Sequence, residues 1–125
     1  MMVKAISRIT IAVILALLAA ILAPTGAEAH AVLLESSPPA KAEVLGDKVE
    51  FSLHYNSRVD ALRSRLTLKG PDGSKPLAAR QGKTEADLAA RAEGLTTGHY
   101  TLKWDVLSVD GHVSRGEVPF IIIER

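Results

Sequence analysis

Gly98-His99-Tyr100-Thr101-Leu102-Lys103-Trp104-Asp105-Val106 is the stretch whose reading decides the fold. Tyr100, Leu102, Trp104 and Val106 recur at a strict period of two, with Thr101, Lys103 and Asp105 between them. Side chains alternate between the faces of an extended chain, so this pattern predicts a strand with one buried and one wet face. The chain's only tryptophan falls on the buried face and is expected in the core. Working outward, Val49, Phe51, Leu53 and Tyr55 alternate within residues 48–56, and Leu66 and Leu68 within residues 65–69. Val118, Phe120 and Ile122 share one face beyond Asp110-Gly111-His112. Turn chemistry separates these runs at Ser36-Ser37-Pro38-Pro39 and Gly70-Pro71-Asp72-Gly73. Residues 83–93 stay ambiguous: their Ala and Glu content favours helix, while short length between Gly82 and Gly94 suits a strand or loop. The expected class is all-β, a Greek-key sandwich or small barrel, immunoglobulin-like or cupredoxin-like, with about seven strands.

The 125 residues allow one domain and a targeting segment. Lys4 and Arg8 give a positive start, and Ile9 to Ala23 is apolar apart from Thr10. Pro24 and Gly26 break any helix before Ala27-Glu28-Ala29, which has the small-x-small form that signal peptidase requires. The apolar run is shorter than the roughly 20 residues of a membrane span. Residues 1–29 are therefore expected to be a cleaved export signal and residues 30–125 the mature domain, with no membrane span after cleavage. Of the chain's 15 basic and 14 acidic residues, the domain keeps 13 of each, without the basic patch a nucleic-acid surface needs. The absence of cysteine excludes disulfides, thiolate metal sites and a cysteine nucleophile. Core packing alone must hold the domain together.

A cut after Ala29 leaves His30 first. Its free α-amine, with a pKa of about 7.7–8.0, and its imidazole can then form a two-nitrogen chelate. The uncleaved precursor has no such amine. Three other histidines are present, His54, His99 and His112. His54 lies between Leu53 and Tyr55, on the face turned from the core, and His99 opens the tryptophan strand; both are expected to be solvated surface residues. Asp110-Gly111-His112 differs, because residues two apart on extended backbone point the same way and the glycine permits a sharp turn. By itself such a triplet is ordinary turn chemistry. With His30 it completes a set of one amine, two imidazoles and a carboxylate, suited to tetragonal Cu(II); such donors also bind Ni(II) and Zn(II), but Cu(II) lies highest in the affinity series.

The segment His30-Ala-Val-Leu-Leu-Glu-Ser-Ser-Pro-Pro-Ala40 resembles the mature start of the CopC copper-resistance proteins, which open with His-Ala and a Ser-x-Pro-Ala element. The segment from Gly98 to His112 is similar to their second signature, G-x-Y-x-V-x-W-x-V-x-S-x-D-G-H, and Gly116 and Phe120 suit its continuation. The resemblance covers residues 30–125. It implies a periplasmic Greek-key β-barrel binding one Cu(II) per chain through His30, Asp110 and His112. It also implies an inner-membrane transporter of the CopD type as partner; a monomer is expected. Two departures stand out. Some relatives bind Cu(I) in a methionine-rich loop, whereas the only methionines here are Met1 and Met2. Cu(I) prefers soft sulfur ligands, so no separate Cu(I) site is expected. And Tyr55-Asn56-Ser57-Arg58-Val59 stands where the family more often has a Phe-Ser-Glu-Pro-Val-like segment, so an acidic residue is missing.

These observations favour a non-enzymatic copper carrier or buffer. A copper redox enzyme of the histidine-brace type would share the amino-terminal histidine. With five aromatic residues in all, however, the chain is poorly equipped to grip a polysaccharide, and Asp110 would fill a position that oxygen activation wants open. A metal-free immunoglobulin-like module would show the same strand pattern, because fold does not fix function. The serines lie in turns without a nucleophile-elbow motif, and no phosphate-cradling loop is present.

Overall fold

The computed structural model describes residues 30–124. The expected export signal, residues 1–29, lies outside them. Nine strands follow in order: β1 (Leu33–Ser37), β2 (Ala42–Leu45), β3 (Val49–Tyr55), β4 (Arg65–Gly70), β5 (Gly73–Leu77), β6 (Arg80–Gln81), β7 (Asp87–Ala92), β8 (Gly98–Leu107) and β9 (Val113–Ile123). They build two sheets, one ordered β1-β3-β7-β6 and the other β2-β9-β8-β4-β5. The described residues contain no helix. The all-β expectation holds, with nine strands where about seven were expected.

Each alternating run foreseen in the sequence is a strand. Val49, Phe51, Leu53 and Tyr55 of β3 point inward, as do Leu102, Trp104 and Val106 of β8 and Val118, Phe120 and Ile122 of β9. The ambiguous segment resolves as β7, antiparallel to β3, because Leu88, Ala90 and Ala92 land on the core face opposite Leu53, Phe51 and Val49. Small side chains suit this position, where the sheet lies against the aromatic-rich opposite layer. The added strands are short. β5 completes a hairpin with β4 at Gly70-Pro71-Asp72-Gly73, and β6 contributes two exposed residues. β2 is held by parallel pairing to β9, a contact with no local signal.

Two aromatic contacts tie the layers together. Phe51 and Phe120 meet edge to face at 5.6 Å, and Tyr55 and Trp104 do so at 5.3 Å. Rings in this arrangement add roughly 0.5–1.5 kcal/mol beyond their burial. The indole has room because its cross-strand partner is Gly116: a Cβ there would lie 2.2 Å from Trp104 Cζ2. The β8–β9 hairpin, the longest pairing in the molecule, therefore runs over a packed indole and ends in the loop that carries Asp110 and His112.

Candidate metal centre

The loop joining β8 to β9 is Ser108-Val109-Asp110-Gly111-His112. Ser108 N–H donates to His112 O at 2.9 Å and Gly111 N–H to Ser108 O at 2.9 Å, closing a tight turn. Gly111 takes φ +95°, a conformation that side-chain-bearing residues rarely adopt. Ser108, 2 % exposed, directs its hydroxyl to Asp110 Oδ1 at 2.5 Å and also lies 3.0 Å from His112 O. His112 N–H donates to the same Oδ1 at 3.3 Å, and His112 Nδ1 lies 3.3 Å from it. The Ser108 hydroxyl foremost, with the His112 backbone N–H and ring, holds the Asp110 carboxyl below the usual carboxylate range, although partial loss of solvent opposes them. All three of these contacts converge on Oδ1.

His30 comes from the other sheet's side. Ala31 is buried in the core, and β1 begins two residues later against the end of β3, with Leu33 opposite Tyr55. This path carries the His30 ring to His112, with centroids 5.3 Å apart and planes 71° to each other. Two imidazoles bound to one ion through nitrogens at about 2.0 Å have centroids about 4.5 Å apart in cis and about 6.3 Å in trans. The observed spacing lies within that range. Residues 82 positions apart in sequence thus share one end of the sandwich, all three exposed to solvent. Their side chains, with the rest of the described Asp and Glu, do not form a ready cage of three or more ligands. A further donor is needed to complete a site.

Among the described residues, four buried side-chain polar atoms lack a hydrogen-bond partner: Tyr55 Oη, Ser57 Oγ, Trp104 Nε1 and Ser114 Oγ. Tyr55 and Ser57 lie at the end of β3, where the amino-terminal arm docks, and Ser114 lies just beyond His112. Burial pushes the Tyr55 phenol far above its ordinary range, so it stays protonated.

His99 is exposed, as expected, but His54 is not a simple surface residue. It is half-buried and its Nδ1 sits 2.5 Å from Asp87 Oδ1, its cross-strand neighbour on β7. Thr84 supplies both its N–H, at 2.9 Å, and its hydroxyl, at 2.7 Å, to Asp87 Oδ2. Beyond the outward alternation of His54, no local pattern points to this pairing across 33 positions. The Thr84 hydroxyl first, and His54 as well, lower the Asp87 carboxyl below its ordinary 3.8, although burial opposes them. A depressed carboxyl pKa stabilises the fold fully above 3.8, and that contribution fades as pH falls through the lower folded value. Asp87→Ala should cost about 1–3 kcal/mol at neutral pH, because it strands the Thr84 N–H and hydroxyl. The wild-type advantage over this variant should shrink below pH 3.8, as read by urea unfolding at a series of pH values.

A family model for the CopC domain matches residues 33–122. The chain belongs to the CopC family. It is 30% identical over 112 residues to the protein YobA of Escherichia coli K12, covering 86% of this chain and 90% of that one. Among solved structures, CopC from Methylosinus trichosporium OB3b aligns with TM-score 0.69 and 28% identity over 77% of this chain and 96% of the other. PcoC, described as a methionine-rich copper resistance protein from Escherichia coli, aligns with TM-score 0.59 and 25% identity over 76% and 100%. The methionine content of PcoC contrasts with this CopC-family chain, which has no methionine after Met2.

Proposed function

We propose that this CopC-family chain is a periplasmic Cu(II) carrier or buffer, and that the amino terminus created by cleavage after Ala29 holds the ion with Asp110 and His112. A copper-related role follows from the family and from its copper-resistance neighbour. One observation carries the finer reading: the His30 ring meets the His112 ring beside Asp110. The α-amine and imidazole of His30 would form the chelate, His112 would give a second imidazole and Asp110 a carboxylate oxygen. That set of three nitrogens and one oxygen matches the tetragonal preference of Cu(II), which lies highest among the common divalent metals in affinity for such donors. Protons compete for the amine and imidazoles, so binding should weaken as pH falls. With no thiolate or thioether in the domain, reduction to Cu(I) should loosen the ion and give a release step toward an acceptor. A membrane transporter of the CopD type is the proposed acceptor.

Electron paramagnetic resonance on protein purified from the periplasm, with its intact mass recorded, tests this reading. A mass beginning at His30 with one equivalent of tetragonal copper in a nitrogen-rich shell is expected. Correctly cleaved protein with only loose, substoichiometric copper would overturn it.

A further inference from the structure

The amino-terminal arm, residues 30–32, precedes the first strand. Ala31 is buried, but the Val32 side chain is 52 % exposed and packs nothing into the core. Residue 32 is fixed instead through its backbone. Asn56 N–H donates to Val32 O at 3.0 Å, and Val32 N–H donates to Asn56 Oδ1 at 2.8 Å. In an ordinary antiparallel hydrogen-bonded pair, both bonds run between backbones. Here the β1–β3 ladder, after a shift of register between Leu33 and Glu35, has passed its last pair, Leu33 with Tyr55, and the side-chain amide of Asn56 supplies the second acceptor. The result is a two-point clamp just beyond the end of the sheet. Its base is rigid, because Asn56 follows Tyr55, which is 1 % exposed and packed on Trp104. His30 is only two residues from the clamped unit, and its ring already stands against His112.

We propose that Asn56 is a positioning residue for copper capture: its side-chain oxygen, by holding Val32 N–H, orients the amino-terminal chelate toward Asp110 and His112. This inference rests on the copper reading above and adds a residue that touches no metal. Preorganisation is the physical gain. An arm left free must lose its conformational freedom when the ion binds, and an arm already held loses less.

The test compares the protein beginning at His30 with its Asn56→Ala and Asn56→Asp variants. Asn56→Ala removes the acceptor; Asn56→Asp keeps an oxygen at the same reach. Cu(II) affinity is measured by competition with a chelator of known strength, and Val32 amide exchange is followed in the metal-free protein. Asn56→Ala should bind Cu(II) about three- to tenfold more weakly, the weight of one hydrogen bond. It should also exchange Val32 N–H faster and show a broadened copper resonance from a spread of geometries. Asn56→Asp should restore a single narrow signal and an affinity no weaker than wild type. A general loss of stability would not be repaired in this way. Wild-type affinity and an unchanged resonance in Asn56→Ala would overturn the clamp while leaving the copper site standing. Absence of Cu(II) binding by the wild-type protein would instead overturn the copper reading, and with it any copper role for Asn56.

Discussion

Gly116→Val is expected to destabilise the domain by about 3 kcal/mol or more, among the largest effects of any single substitution in this chain. Even a single Cβ at position 116 would stand 2.2 Å from Trp104 Cζ2 and 2.6 Å from Cε2. The indole has nowhere to retreat. It is 7 % exposed, in edge contact with Tyr55 at 5.3 Å, and flanked along β8 by Leu102 and Val106, both fully buried. Close-packed interiors absorb such intrusions only through off-rotamer side chains or backbone shifts. The backbone that would shift is the β8–β9 ladder, where Trp104 faces Gly116 and Val106 faces Ser114. Since that ladder leads directly into the loop of Asp110 and His112, the same variant should also weaken whatever the loop binds. Urea unfolding monitored by far-ultraviolet circular dichroism reads the stability in every variant. A double-mutant cycle isolates the cause: Trp104→Phe withdraws the atoms that collide, so adding it to Gly116→Val should cost less than the sum of the two single changes. Strict additivity would mean that the glycine matters for some reason other than the ring.

Much of the architecture was legible because the core strands bury one face and wet the other. In β3, β4, β8 and β9 the alternation of Val49 to Tyr55, Leu66 and Leu68, Tyr100 to Val106, and Val118 to Ile122 translates directly into burial. Where strands lie at an edge, that link is cut. β5 and β6 are almost wholly exposed, so their residues carry no hydrophobic period. β2 is held by pairing to β9, which local pattern cannot reveal. β7 was obscured for another reason: its inward residues Leu88, Ala90 and Ala92 are mostly alanine, and composition alone reads alanine as helical. Tertiary pairing with β3 overrides that preference.

The candidate site divides along similar lines. The Asp110-Gly111-His112 turn is local, and both its spacing and its glycine are visible in sequence. The approach of His30 to His112 is not local, and only the fold brings the rings to 5.3 Å. Asn56 and the His54–Asp87 pair were invisible for the same reason, since each acts through a partner 24 or 33 positions away. Single polar side chains leave no periodic trace that could point to such partners.

Placing even one residue before His30 should lower Cu(II) affinity by about a hundredfold or more, while leaving the melting temperature of the metal-free domain nearly unchanged. The imidazole would remain opposite His112, but the α-amine would become an amide. An amide N–H is a far poorer donor near neutral pH than an amine with a pKa of about 7.7–8.0, and the two-nitrogen chelate of residue 30 would be lost. His112→Ala should act on a similar scale, because it removes the other nitrogen arm. Asp110→Asn should cost less, since a water can replace one oxygen ligand, and Ser108 can still donate to the amide oxygen. Because His30 is exposed, stability and affinity should separate in the extended protein. Chelator competition gives the affinities, and the copper hyperfine pattern shows whether a nitrogen has left the shell. An extended chain that binds Cu(II) as tightly as the one beginning at His30 would remove the amine from the site. The export cleavage would then have no part in making it, and Asp110 and His112 would have to find their remaining ligands elsewhere on the domain.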